Sequence, residues 1–278
     1  MNLFSKSFAI ASIVSFSFVT AASAAYTGGA VTDGSTLSGK VSFKGAQPPA
    51  EKFEFAKFPQ AKFCSQVGSD GTAGSGTGNR LRQDVKVKGG GLSDAVVYIT
   101  NIEKGKAMKP FITEIHAEKC QFLIQGGPSK SVGVIFNDKT AGGITVTNQD
   151  ADPSDPKTVA GILHNPHGYS MVGVMSTTIF NKPVPTKGAS ITEKVKPIWF
   201  KKPGAFMKVE CDQHNYMNAW ALPVENPYYS VVNDDGTFSL DQVPAGKYQI
   251  TAFHPKLGLK TVEVDVPAKG KATANFDF

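Results

Sequence analysis

The chain has 278 residues, of which 41% are hydrophobic, and a formal charge of +6 at neutral pH. That length allows one large β domain or two smaller ones. The basic excess is spread along the chain with no run of five Lys or Arg. A nucleic-acid surface is therefore not expected, and the charge supports only a mild preference for an acidic partner or an anionic surface.

In chain order, residues 1–24 read as a secretory signal peptide. Lys6 supplies the positive start, Phe8 to Val19 the apolar stretch, and Ala22-Ser23-Ala24 the small residues of a cleavage site. The stretch is too short and Ser-rich for a spanning helix, no cysteine follows the cleavage point, and no later segment is apolar enough to span. The expectation is a soluble protein of the periplasm, secreted or at the cell surface, with no membrane span. Cys64, Cys120 and Cys211 make an odd set in an oxidising compartment, which suggests one disulfide and one thiol kept for chemistry.

The predicted elements are strands. Apolar residues alternate over 37–43, 85–87, 144–146, 248–252, 262–266 and 276–278, the period of half-buried strands. Ala95 to Ile99 is a continuous apolar run that suits a fully buried strand. Glu51 to Gln66 is a weak helix candidate. Gly68 to Asn79, rich in Gly, Ser and Thr, reads as a mobile loop. Gln149 to Lys157, with Asp150, Asp152 and Asp155, reads as a solvated acidic insertion rather than a calcium site, because the glycine turn is missing.

Near the C-terminus, Asn233-Asp234-Asp235-Gly236-Thr237-Phe238-Ser239-Leu240 and Val243-Pro244-Ala245-Gly246-Lys247-Tyr248 combine turn residues with alternating strands. These motifs resemble the carboxypeptidase regulatory-like (transthyretin-like) β-sandwich. Ser38 to Gly45 looks like the opening strand of the same domain type.

The stretch with chemistry is Cys211-Asp212-Gln213-His214-Asn215-Tyr216-Met217. A thiolate, an imidazole and a thioether at i, i+3 and i+6, after a strand-like Phe206 to Val209, can be gathered by one closing loop. Soft sulfur beside imidazole selects copper, and a His₂Cys plane with a weak axial Met is the electron-transfer arrangement. The second imidazole is expected from His164, with His167 as its rival. Cys64 and Cys120 have no His or Met at ligand spacing and are the expected disulfide. His254 is kept as a further alternative ligand, more simply a surface or supporting histidine.

The Cys-x-x-His-x-x-Met spacing and the upstream His-Asn resemble the small blue copper proteins, the cupredoxins, of amicyanin type. The resemblance implies that Asn165 ties the two ligand loops by hydrogen bonds, and that the ring edge of His214 reaches the surface and carries the electron. Glu210, where multicopper oxidases carry His, removes their bridge to a second copper cluster.

The resulting expectation is an all-β chain of two β-sandwich modules. A cupredoxin-like Greek-key sandwich (106–221) is inserted in, or packed on, a carboxypeptidase regulatory-like one formed by segments 25–105 and 222–278. One type 1 copper is held by His164, Cys211, His214 and Met217, and passes single electrons to a redox protein such as a c-type cytochrome or a dehydrogenase. No enzyme signature is present: no paired carboxylates, no Ser/His/Asp set, no phosphate loop. Two alternatives stand beside this reading. One is a copper carrier or sequestering protein, suggested by His167, Met171 and Met175; the other is a metal-free structural sandwich.

Overall fold

The computed structural model describes residues 25–67 and 74–278, and these are nearly all β. The signal-peptide assignment lies outside the described residues, as do residues 68–73 of the expected loop. Residues 74–78 turn into the strand Asn79–Arg82.

Four larger sheets stack as layers. The first has the order Phe122–Ile124, Ile112–Ala117, Gly143–Asn148, Ser190–Lys194, and the second Val132–Phe136, Asn218–Val224, Phe206–Cys211, Pro166–Val172, Met175–Asn181. The third runs Tyr229–Val231, Val96–Ile99, Gly246–His254, Gly258–Val266. In the fourth, Ser35–Ser42 pairs with Thr237–Val243, Gly91–Leu92 and, in parallel, Lys271–Asp277.

The period of two explains the stacking. In the second sheet Met207, Val209, Cys211, Ala219 and Ala221 point into the core shared with the first sheet. Their neighbours Phe206, Trp220, Leu222 and Val224 point the other way, into a seam with Val96 and Phe253 of the third sheet. Val97, Ile99, Ile250 and Ala252 then face the core between the third and fourth sheets. The run at 95–99 is continuously apolar because both of its faces are covered. Burying a ring such as Phe253 contributes roughly 2–3 kcal/mol.

Glycine is required by geometry at several positions, of which Gly39 and Gly236 shape the fourth sheet. At Gly39 a Cβ would meet the Ala274 carbonyl oxygen at 1.7 Å, so the parallel pairing of Ser35–Ser42 with Lys271–Asp277 needs a residue without one. Gly236 closes the Asn233–Gly236 turn with φ +81°, which glycine adopts without steric cost.

The region 51–66 is not a helix. It is a strand, Glu51–Glu54, paired with Asn79–Arg82, followed by a 3-10 turn and one helical turn, Ala61–Cys64. Phe55, Phe63 and Cys64 are buried in the core between the first two sheets, although the flanking strands Ser35–Ser42 and Val87–Lys88 belong to the fourth. The chain thus crosses from one sandwich to cap the other and returns.

Candidate metal centre

Strand pairing builds the site. Pro166 stands opposite Cys211 in the antiparallel ladder, so His164 and Asn165 lie beside the loop that leaves Cys211. The Asp212 N–H donates to the Asn165 carbonyl (3.1 Å), carrying the ladder one step further. His164 is pinned from its other side by backbone hydrogen bonds with Val184. The loop 211–217 closes on itself: the His214 N–H donates to Cys211 O (3.1 Å), Met217 N–H to His214 O (2.8 Å), and Cys211 N–H to Met217 O (3.2 Å).

The result is a convergence of donors. Cys211 Sγ lies 3.9 Å from His164 Nδ1 and 3.8 Å from His214 Nδ1. Two donors about 2.0 and 2.3 Å from one ion, 120° apart, would be separated by about 3.7 Å, close to the observed sulfur–nitrogen spacings, so these fit a trigonal site. All three residues are fully buried, and Met217 is buried on the same loop.

Each imidazole is held through its Nε2, His164 against Asp150 Oδ2 at 2.8 Å and His214 with its Nε2–H donating to the Pro59 carbonyl at 3.1 Å. This turns both Nδ1 atoms toward Cys211, placed to hydrogen-bond its sulfur in the metal-free chain and to bind an ion once free of protons. Asp150 is itself fixed by the N–H groups of Lys119 and Cys120. It is 2% exposed, not part of a solvated loop, because it serves a buried histidine.

The Asn165 N–H donates to Cys211 Sγ (3.4 Å), and its side-chain amide donates to Asp212 Oδ2 (2.9 Å). Burial works to raise the Cys211 thiol, but the hydrogen bonds and charges of His164 and His214 outweigh it and bring the pKa down to about 6. The group is a thiolate at neutral pH, the form that binds metal. Burial opposes protonation of His164, yet Asp150 and Cys211 together raise its pKa above the ordinary imidazole value.

The remaining sequence candidates lie elsewhere. His167 stands on the adjoining strand with Nδ1 near Asp212 Oδ1 (3.0 Å) and Tyr169 Oη (2.8 Å), and Nε2 near Thr178 Oγ1 (2.9 Å); it is outside the donor group. His254 belongs to the third sheet, buried, with Nδ1 accepting from Lys256 N–H. Met171 is paired with Phe206, five residues along its strand from the Pro166–Cys211 pair, about 17 Å from the site at 3.3 Å per residue, and Met175 lies beyond it.

Cys64 and Cys120 form a disulfide, leaving Cys211 free. The ring edge of His214 does not reach the surface. Pro59 covers it, and Cys64 Sγ sits 3.6 Å from its Nε2. The sequence carries only a faint signal for Asp150 as the partner of His164, a carboxylate two residues past the end of the strand Gly143–Asn148; for the Pro59 carbonyl, 155 residues from His214, it carries none.

Residues 214–276 match the family model of the ER membrane protein complex subunit 7 beta-sandwich domain, well under half of the chain. The match starts within the loop 211–217, takes in Asn218–Val224 of the second sheet, and runs through the C-terminal strands of the third and fourth sheets. No curated protein matches the chain significantly. A solved structure, the Cu-containing nitrite reductase from Thermus scotoductus SA-01, aligns over 44% of this chain and 24% of its own, at 16% identity and a TM-score of 0.26. The chain thus spans about a quarter of that reductase, and a likeness this low carries no argument.

Proposed function

We propose that this protein is an exported, non-enzymatic copper protein that carries single electrons between redox partners. The observation that supports the reading is the convergence of one thiolate and two Nδ1 atoms, with a backbone N–H on the sulfur. Copper held there would supply one-electron exchange between Cu(II) and Cu(I).

The chain's own part is to hold that geometry still. Asp150 and Pro59 keep both rings oriented, Asn165 stabilises negative charge on Cys211, and Met217, buried at the end of the 211–217 loop, is the candidate for a weak fourth donor. The apolar wall of Phe55, Ile162 and Tyr216 limits water. With the edge of His214 covered, the exposed Leu163, Asp212 and Asn215 offer the approach for a partner, such as a c-type cytochrome or a dehydrogenase. The full burial of the donors favours retention of an ion over rapid hand-off, and so electron transfer over a carrier role.

The match over 214–276 favours a second reading for the third and fourth sheets, as a docking module that seats the donor-bearing sandwich on a larger assembly. Cross-linking of the exported protein in its native envelope would yield a discrete partner; recovery of monomer alone would remove this reading.

The test of the copper reading is the visible spectrum of the purified protein after Cu(II) addition, beside Cys211→Ser. The expected result is an intense band, bleached by reductant and absent from the variant. A colourless protein that takes up no copper would overturn it.

A further inference from the structure

The segment 51–67 sits where neither its place in the chain nor the ligand motif requires it. It leaves the fourth sheet, lies over the ligand end of the other sandwich, and buries Phe55, Phe63 and Cys64 there. Phe53, Phe55 and Phe58 surround Tyr216 at ring-centre distances of 5.9, 6.1 and 5.0 Å, and Tyr216 is 5.7 Å from the His214 ring. The buried Arg80 of the returning strand stacks on Phe55 and Tyr216 and donates to the carbonyls of Cys64 and Lys119, bridging the segment to the sandwich beneath. Its covalent tie to that sandwich is the Cys64–Cys120 disulfide.

We propose that this segment is the positioning element for His214, with the Pro59 carbonyl fixing its Nε2–H and the Cys64–Cys120 disulfide latching the segment over the ring, so that metal enters and leaves only when the segment lifts. The inference rests on the copper reading for its metal arm alone; the orientation of the ring is a property of the metal-free chain. Cys64 and Cys120 take no electrons in this role. Without the bond the segment is held by the aromatic cluster, Arg80 and the backbone contacts, and it opens more often.

The experiment compares the full-length protein with Cys64→Ser/Cys120→Ser and, separately, Phe58→Ala, which thins the cover and leaves the disulfide. Two readings are taken: solvent exchange of the His214 Nε2 proton by nitrogen-edited NMR of the metal-free protein, and release of copper to a chelator. The expected result is a protected proton in the parent, with exchange and release each faster by about tenfold or more in the serine variant. Phe58→Ala is expected to move both readings the same way by less. A merely structural disulfide would lower the melting temperature and leave both readings unchanged; that outcome overturns the proposal. If circular dichroism shows the serine variant unfolded, Phe58→Ala decides on the same criteria. If the parent takes up no copper, the copper reading fails and the proton-exchange arm still decides this one.

Discussion

The two sandwiches reach stability by different means. Between the third and fourth sheets the core is apolar, lined by Leu37, Val41, Ile250, Phe238 and Phe276, and its edges are made by short turns. Between the first and second sheets the ligand end buries His164, Asp150, His214 and Cys211, each answered by a named partner, and the disulfide and a crossing segment complete the wall. An apolar core tolerates local variation because its driving force is not directional. A buried polar cluster does not, since an unanswered donor or charge is costly. The comparison predicts that damage to one sandwich lowers stability and leaves the donor geometry, while damage to the other alters both.

The largest expected effects break that comparison most directly. Phe276→Ala, which empties a fully buried ring site in the apolar sandwich, should cost about 3–5 kcal/mol in chemical denaturation and leave the copper band unchanged where the protein stays folded. Removing the Cys64–Cys120 bond, whose cysteines are 56 residues apart, should cost about 4 kcal/mol by loop-closure entropy. Asp150→Asn takes away the carboxylate that His164 and two backbone N–H groups share, and should weaken metal affinity by about 10–100-fold, read by competition with a chelator.

Acid sharpens the same contrast. In the metal-free protein the Cys211 pKa is depressed from 9.0 to about 6, so its contribution is present above the unfolded value and is lost as pH falls through about 6. His164, with a raised pKa, contributes in the opposite sense: fully below the ordinary imidazole value, lost as pH rises through its folded one. In the other sandwich, burial lowers His254 to about 4, so that side of the molecule loses stability as pH falls from 6.5 towards 4. His254→Gln should flatten the curve of stability against pH between about 6.5 and 4, and Cys211→Ser the part between about 9 and 6. The smallest effect is expected at the exposed Lys44–Asp277 pair, where Lys44→Ala should change stability by no more than about 0.5 kcal/mol.

Much of the β framework was legible in local pattern. The alternation at 248–252 and 262–266 lies in the strands Gly246–His254 and Gly258–Val266, and the Asp-Gly turn at 235–236 joins strands as its residues suggest. The run at 95–99 was readable as a buried strand, though not which layers would cover it. Residues 51–66, a weak helix candidate by sequence, form a strand and turns because their partners are Tyr216 and Arg80, far along the chain. Cys211, His214 and Met217 stand out as candidate ligands in the sequence because one loop holds them. His164 needed a second loop, and only the register Pro166–Cys211 brings it within 3.9 Å of the sulfur.

The sequence by itself determined many of the strands and turns and marked Cys211, His214 and Met217 as a candidate ligand loop, since each depends on neighbours a few residues away. Only the tertiary structure decided that Asp150 would serve His164, that Pro59 and the disulfide would cover His214, and that Met171 would sit far from the site. Those outcomes depend on strand register and layer order, which bring together groups separated by as many as 155 residues.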